Sequence, residues 1–342
     1  MPNELDAHRY LLEKLTEIES LESIKGVARV YDSRIGNTNN SRIYFFLPDL
    51  HIVSRKYREV HFEYGFNHER LFVDLLKKLI QLREDSAGFP ISVCQLGDCV
   101  DLWRENLKDP EIGLSDFQGV RDGLFELRAW LCLGNHDVEI AQIPRLSPMW
   151  HWRLFFPDLD DPRVYVTHGD VLDWLEQLPD SLQKWAVHLF SPKHAKPAQN
   201  LNTLVKLRKK KSSTMDPTQV INLVSADKIS PDGGLDSIPF QKEHRYLESC
   251  YKRIDAMNKG ERLNIAAAVI AHTHSPGIAV LDDEKRFFVL MDCGSWQGKY
   301  IKGDSEPRAC CQVGVVCGND FRIYQLDANT SISPQFEVET VL

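Results

Sequence analysis

The chain has 342 residues, 43% of them hydrophobic and 26% charged, with a formal net charge of −8. That balance belongs to a globular protein with room for one large α/β domain carrying insertions, or for two ordinary domains, and it excludes a disordered or fibrous chain. The acidic excess argues against a general nucleic-acid coat, which needs a Lys/Arg surplus over at least one face, and no run approaches the roughly 18 apolar residues of a membrane helix.

Residues 5–25 carry helical periodicity, with Leu11, Leu12, Leu15 and Ile18 on one stripe, and the polar run "DSRIGNTNN" follows. This predicts an N-terminal helical extension over 1–41 ahead of a main domain over 42–342. The first twenty residues are acidic and amphipathic rather than signal-like, so the expected compartment is the cytoplasm. Next, "RIYFFL", "ISVCQL", "AWLCL", "RVYVT" and "IAAAVIA" are short, nearly continuous apolar runs, the pattern of strands in a sheet covered on both faces. Between the first two, "NHERLFVDLLKKLIQLRED" places Leu71, Phe72, Leu75, Leu76 and Leu79 at helical spacing, which predicts a cover helix. Trp150, His151 and Trp152 either line a substrate pocket or belong to the core.

Residues 174–262 interrupt the alternation and read as a mostly helical insertion or cap. Its basic run, Lys206 to Lys211, is either a solvated loop or a contact for anionic lipid head groups and nucleotide phosphates. Beyond residue 280, "KRFFVLMD", "CCQVGVVC" and "FRIYQL" are strand-like with short turns, and a second, largely antiparallel sheet is expected. The chain has eight cysteines and no C-x-x-C pair; Cys94, Cys99 and Cys132 lie in or beside apolar runs and read as reduced thiols.

The five apolar runs from "RIYFFL" to "IAAAVIA" end in polar blocks. In order these hold Asp49 and His51; Asp98 and Asp101; Asn135, His136 and Asp137; His168 and Asp170; and His272 and His274. Carboxyl ends of strands in an open α/β sheet converge on one crevice, so residues far apart in sequence meet there. Several carboxylates and imidazoles gathered without a cation would repel or desolvate badly. So many donors exceed one cation's needs and fit two cations that share a carboxylate. Carboxylate, imidazole and amide without thiolate suit Mn²⁺, Fe or Zn²⁺.

These blocks, D-x-H, G-D-x-x-D, G-N-H-D, H and A-H-T-H, resemble the calcineurin-like metallophosphoesterase superfamily over residues 43 to about 295, the insertion excluded. The resemblance implies an α/β fold, a four-layer αββα sandwich of two mixed sheets flanked by helices with a helical insertion. It implies that Asp49, His51, Asp98 and His274 surround one metal, and that Asp98 bridges to a second completed by Asn135, His168 and His272. By the same resemblance His136 faces the substrate and assists the leaving oxygen, held by Asp101, and a metal-bridging hydroxide hydrolyses a phosphoester or pyrophosphate bond. Two departures stand out. Ala271 replaces the glycine usual before the last histidine pair, and Leu102-Trp103 replaces an Arg-Gly that would grip a phosphoprotein. "GDCVDLW" with "THGDVLD" is similar to UDP-2,3-diacylglucosamine pyrophosphohydrolases, although that subgroup typically has Arg at the position of His136 and is shorter.

The expected substrate is therefore a small-molecule or lipid-linked phosphate ester, with peripheral lipid contact through the insertion and no stable nucleic-acid partner. Nuclease or cyclic-nucleotide phosphodiesterase chemistry would use the same centre. A protein-binding scaffold on the same fold is the alternative from another class; such a scaffold is expected to have lost ligands, and none of the ligand positions is vacant.

Overall fold

The computed structural model describes residues 24–31, 33–35, 42–56, 66, 68–85, 91–102, 115–137, 140, 150–157, 161–172, 246–274, 276–283, 285–297 and 311–326. Most apolar runs of the sequence become strands. In the first sheet, β2 (Ile43–Leu47), β3 (Ile91–Gln95), β4 (Trp130–Cys132) and β5 (Trp150–His151) are parallel neighbours. The antiparallel strands β11 (Gln312–Cys317), β12 (Asp320–Leu326) and β1 (Ile24–Tyr31) extend it beyond β2, giving the order β1-β12-β11-β2-β3-β4-β5. The second sheet runs β6-β7-β8-β10-β9. Its centre, β7 (Val164–Val166), β8 (Ala267–Ile270) and β10 (Phe287–Asp292), is parallel, and β6 (Leu154–Phe156) and β9 (Gly277–Asp282) are antiparallel edges.

Strand alternation sorts the side chains into three cores, which is what makes four layers. Ile43, Phe45 and Leu47 of β2 face the helix α1 (Glu69–Asp85), which buries Leu71, Phe72, Leu76, Leu79 and Leu82, and the helix α2 (Gln118–Glu126), which buries Val120 and Leu124. Tyr44 and Phe46 of the same strand face the other way, onto Val164, Val166, Ala267, Val269, Val289 and Met291 of the second sheet. The outer face of the second sheet packs Ala268, Ile270, Phe288 and Leu290 on Leu247, Cys250 and Ile254 of α3 (Leu247–Glu261). Fully burying a side chain such as Phe46 stabilises by about 1.5–3 kcal/mol. Parallel strands buried on both faces read as unbroken apolar runs for this reason.

Two expectations are corrected. The three runs beyond residue 280 do not form a sheet of their own: "FFVLMD" is β10, parallel to β8 in the second sheet, whereas β11 and β12 are antiparallel strands of the first. Short-range pattern identifies a strand but not its partner, and Gly314 of β11 pairs with Phe46, far away in the chain. The N-terminal extension is not helical throughout, because Ile24–Tyr31 is an edge strand held to β12 with a bulge at Gly26/Ala28. The predicted helix before it lies outside the described residues. So does most of the insertion over 174–262, of which α3 forms the described end.

Candidate metal centre

The predicted residues meet at the carboxyl ends of the parallel strands of both sheets. Asp49 and His51 follow β2, Asp98 and Asp101 follow β3, Asn135 and His136 follow β4, His168 follows β7, and His272 and His274 follow β8. The loops carrying them are laced by backbone hydrogen bonds. Leu50 N and His51 N donate to Asp98 O at 3.1 and 2.8 Å, Asp101 N donates to Ile52 O at 2.9 Å, Leu102 N donates to His136 O at 3.1 Å, and Ala271 N donates to His168 O at 2.8 Å.

Such close lacing leaves no room for side chains at two positions. A Cβ on Gly134 would stand 2.1 Å from Asp98 Oδ1, and one on Gly97, whose φ is +100°, would stand 2.8 Å from the His168 Cβ. Four of the clustered residues themselves adopt left-handed backbone: His51 (φ 51°), Asp98 (49°), His272 (67°) and His274 (54°). Each costs about 1–3 kcal/mol for a residue with a Cβ, the kind of strain that concentrates at functional sites. Ala271, by contrast, is not a positive-φ residue, so the glycine of the related pattern is not needed there.

The donor atoms fall into two groups that meet at one oxygen. Asp98 Oδ2 lies 3.6 Å from His51 Nε2 and 3.3 Å from His168 Nε2. On the first side, His51 Nε2 is 3.1 Å from His274 Nε2, which is 3.0 Å from Asp49 Oδ2. On the second, His168 Nε2 is 3.2 Å from both Asn135 Oδ1 and His272 Nδ1. Asp49, His51 and His274 can hold a metal ion, as can Asp98, His168 and His272; His51, Asp98 and His136 make a third, overlapping group, the ligand atoms of each lying within 4.8 Å of one another. The other Asp98 oxygen is occupied, since His136 N donates to Oδ1 at 2.9 Å.

Neighbouring acceptors set the imidazole tautomers. His168 Nδ1 faces Leu96 O at 3.0 Å and Asp49 Oδ1 at 3.4 Å, both acceptors, so it carries a proton. His51 Nδ1 faces Asp101 Oδ2 at 3.1 Å and is protonated for the same reason. Both Nε2 lone pairs then point inward. For His168 that lone pair meets Asn135 Oδ1 and Asp98 Oδ2, so acceptor faces acceptor unless a cation or a second proton lies between them. This donor set fits a metal ion, and the Nδ1 partners are the outer hydrogen bonds that orient ligating histidines.

The electrostatics agree. Burial lowers the His51 pKa to about 4 despite the Asp101 hydrogen bond, which keeps the ring neutral and its lone pair free at neutral pH. Burial also opposes charge on His168, but Asp98 and Asp49 outweigh it and carry its pKa well above the usual value. For Asp49, burial is outweighed by His168 and His274 and the pKa falls far below the carboxylate range; Asp98 is lowered likewise, burial being outweighed chiefly by His168 and His136. Proton and metal therefore compete for the His168 lone pair.

His136 stands at the open side, its side chain 16% exposed, with Nδ1 donating to Asp101 Oδ1 at 2.8 Å. Asp101 is thus shared between His136 and His51, a double role not apparent in the sequence. Asp137 is buried as a backbone clamp, accepting from Gly134 N at 2.7 Å and Cys99 N at 2.8 Å. Asp170 opens a short 3₁₀ turn ending at Leu172. Where the chain is next described, the Tyr246 ring stacks on His272 with centroids 6.2 Å apart. Trp150 is buried against the first core while Trp152 is 54% exposed. The run Lys206 to Lys211 lies outside the described residues. Cys94, Cys99 and Cys132 are free, buried thiols.

Asp292 was missed in the sequence although it too ends an apolar run, "FFVLMD". It accepts from the Thr273 hydroxyl, between the two histidines, and from Gly294 N at 3.0 Å. Among the described residues no helix is long and apolar enough to cross a membrane. Compared with protein-family models and with curated proteins, the chain matches none.

Proposed function

We propose that the protein is a binuclear metal-dependent phosphoesterase that hydrolyses a phosphoester or pyrophosphate bond in a small-molecule or lipid-linked substrate. The observation that carries this reading is the pair of donor groups meeting at Asp98 Oδ2, with the partly exposed His136 beside them. It accords with the sequence resemblance to calcineurin-like metallophosphoesterases.

Cations held there, Mn²⁺ or alternatively Fe or Zn²⁺, would supply Lewis acidity toward phosphoryl oxygens and bring the pKa of water toward neutrality. Asp49, His51, Asp98 and His274 would hold one and Asp98, Asn135, His168 and His272 the other. Asp101 accepts from His136 Nδ1 so that Nε2 faces outward, where the doubly protonated ring can deliver a proton to the leaving oxygen. The Nδ1 partners turn the Nε2 atoms of His51 and His168 inward, where a cation would displace the proton that metal-free His168 holds.

The test uses purified chain stripped with a chelator and reloaded with Mn²⁺, assayed against bis-nitrophenyl phosphate, mononitrophenyl phosphate and UDP-sugar lipids. Hydrolysis of at least one of them, lost on stripping and regained on reloading, is expected, and the panel separates diesterase, monoesterase and pyrophosphatase activity. A protein that binds Mn²⁺ yet hydrolyses none would refute the assignment.

A further inference from the structure

We infer that Asp292 and Thr273 are positioning residues for the metal ligands, a carboxylate and hydroxyl pair that holds three of them in ligating geometry. The inference rests on the proposal that the cluster binds metal.

The loop after β8 needs an external hold. His272 and His274 are both left-handed with Thr273 between them, and the turn bond from Thr273 N to Ala271 O at 2.7 Å does not reach His274. Both positions are strained for residues with a Cβ, and a free loop would relax toward ordinary backbone. The Thr273 side chain fastens the loop midway by donating to Asp292 Oδ2. Asp292 is fully buried at the end of β10, in register with Ile270, the last residue of β8, so the anchor sits on the neighbouring strand rather than on a surface group.

The second Asp292 oxygen extends the hold to the other side of the centre. It accepts from Gly294 N, and the turn it fixes carries Ser295 and Trp296. Ser295 Oγ and Trp296 N both donate to the backbone oxygen of Asp49, at 3.3 and 2.8 Å. Asp49 in turn accepts from His272 N through its carboxylate, at 3.1 Å to Oδ2. One buried carboxylate therefore joins the loop bearing His272 and His274 to the turn that grips Asp49. Outer partners of this kind typically change metal affinity about 10- to 100-fold when removed.

The experiment compares wild type, Thr273→Val, Thr273→Ser and Asp292→Asn as full-length chains, measuring Mn²⁺ affinity by competition with a fluorescent chelator and metal-free thermal stability by circular dichroism. Thr273→Val keeps the shape and removes the donor, so Mn²⁺ binding should weaken about 10- to 100-fold, with Thr273→Ser within about threefold of wild type. Should Thr273→Val fail to fold, Thr273→Ala is read in its place. Variants that melt earlier but bind Mn²⁺ as wild type does would show a purely structural clamp and overturn the inference. A wild-type chain that binds no Mn²⁺ would instead refute the metal-centre reading beneath it.

Discussion

Replacing Asp101 by asparagine tests the centre at the point where two of its imidazoles depend on one side chain. The carboxylate accepts from His51 Nδ1 at 3.1 Å and from His136 Nδ1 at 2.8 Å, one on each oxygen. Asparagine has a single oxygen, so its amide nitrogen must face one of these N–H groups, donor against donor. That histidine escapes by moving its proton to Nε2. If it is His51, an inward lone pair is lost; if it is His136, the doubly protonated ring that delivers the proton loses the carboxylate that supports its charge. A hydrogen bond to a charged group contributes roughly 1.5–3 kcal/mol, and about 1.4 kcal/mol corresponds to a factor of ten. Asp101→Asn should therefore weaken Mn²⁺ binding about 10- to 100-fold, and at saturating Mn²⁺ should still lower kcat and shift its pH profile. Chelator competition and a pH series of kcat read the two effects separately. A variant with wild-type metal affinity and an unmoved profile would refute the shared-carboxylate reasoning.

His136→Ala should lower kcat by about 10²–10⁴ while the bound metal, read by elemental analysis, stays at the wild-type level, because the role assigned to it is proton transfer. Loss of metal in that variant would make His136 a ligand. Gly134→Ala puts a methyl group 2.1 Å from Asp98 Oδ1 and must displace the carboxylate where the donor groups meet, so metal content and activity should fall together; retention of both would show that the loop yields freely. In the metal-free protein His51 and His168 make opposed contributions to the pH dependence of stability, one on each side of pH 6.5. Below that, unfolded histidine takes up a proton that His51, with its pKa near 4, refuses, costing about 3 kcal/mol by pH 4. Above it, His168 keeps a proton that the unfolded chain has lost, so alkali also destabilises. Because buried Asp137, its pKa raised by burial and Asp98, opposes the His51 limb in the wild type, urea stability is compared across pH 4.5–8 with His51→Gln and His168→Gln. The wild-type advantage over His51→Gln should shrink below pH 6.5 and that over His168→Gln above it, and pH-independent differences would contradict the shifts.

Polar residues that stop apolar runs were legible because strands buried on both faces leave no ambiguity about where burial ends. Asp49, His51, Asp98, Asn135, His136, His168, His272 and His274 all follow that rule, and so does Asp292, whose companion block holds no histidine to mark it. The left-handed backbone at His51, Asp98, His272 and His274 could not be read, since none is glycine or asparagine and the conformation is imposed by lacing to other loops. Pairing was equally hidden. The pattern in "QVGVVC" announces a strand, yet its place beside β2 depends on a register chosen by contacts with residues some 270 positions earlier. The helical reading extends the periodicity of residues 5–25 to the whole extension, and Ile24–Tyr31 pairs with β12 instead. The second attachment of Asp101, to His51, depends on two loops approaching, which spacing along the chain does not encode.

Two of the donor groups draw on both sheets: Asp49 and His51 come from the first and His274 from the second, and Asp98 comes from the first and His168 and His272 from the second. A cation seated in either of these two groups would act as a rivet through the seam of the sandwich, closing chelate rings that span a large part of the polypeptide. Stripping the ions should then loosen that one rim while the far rim stays shut, and amide exchange at the tips of β2, β3, β7 and β8 would quicken in concert.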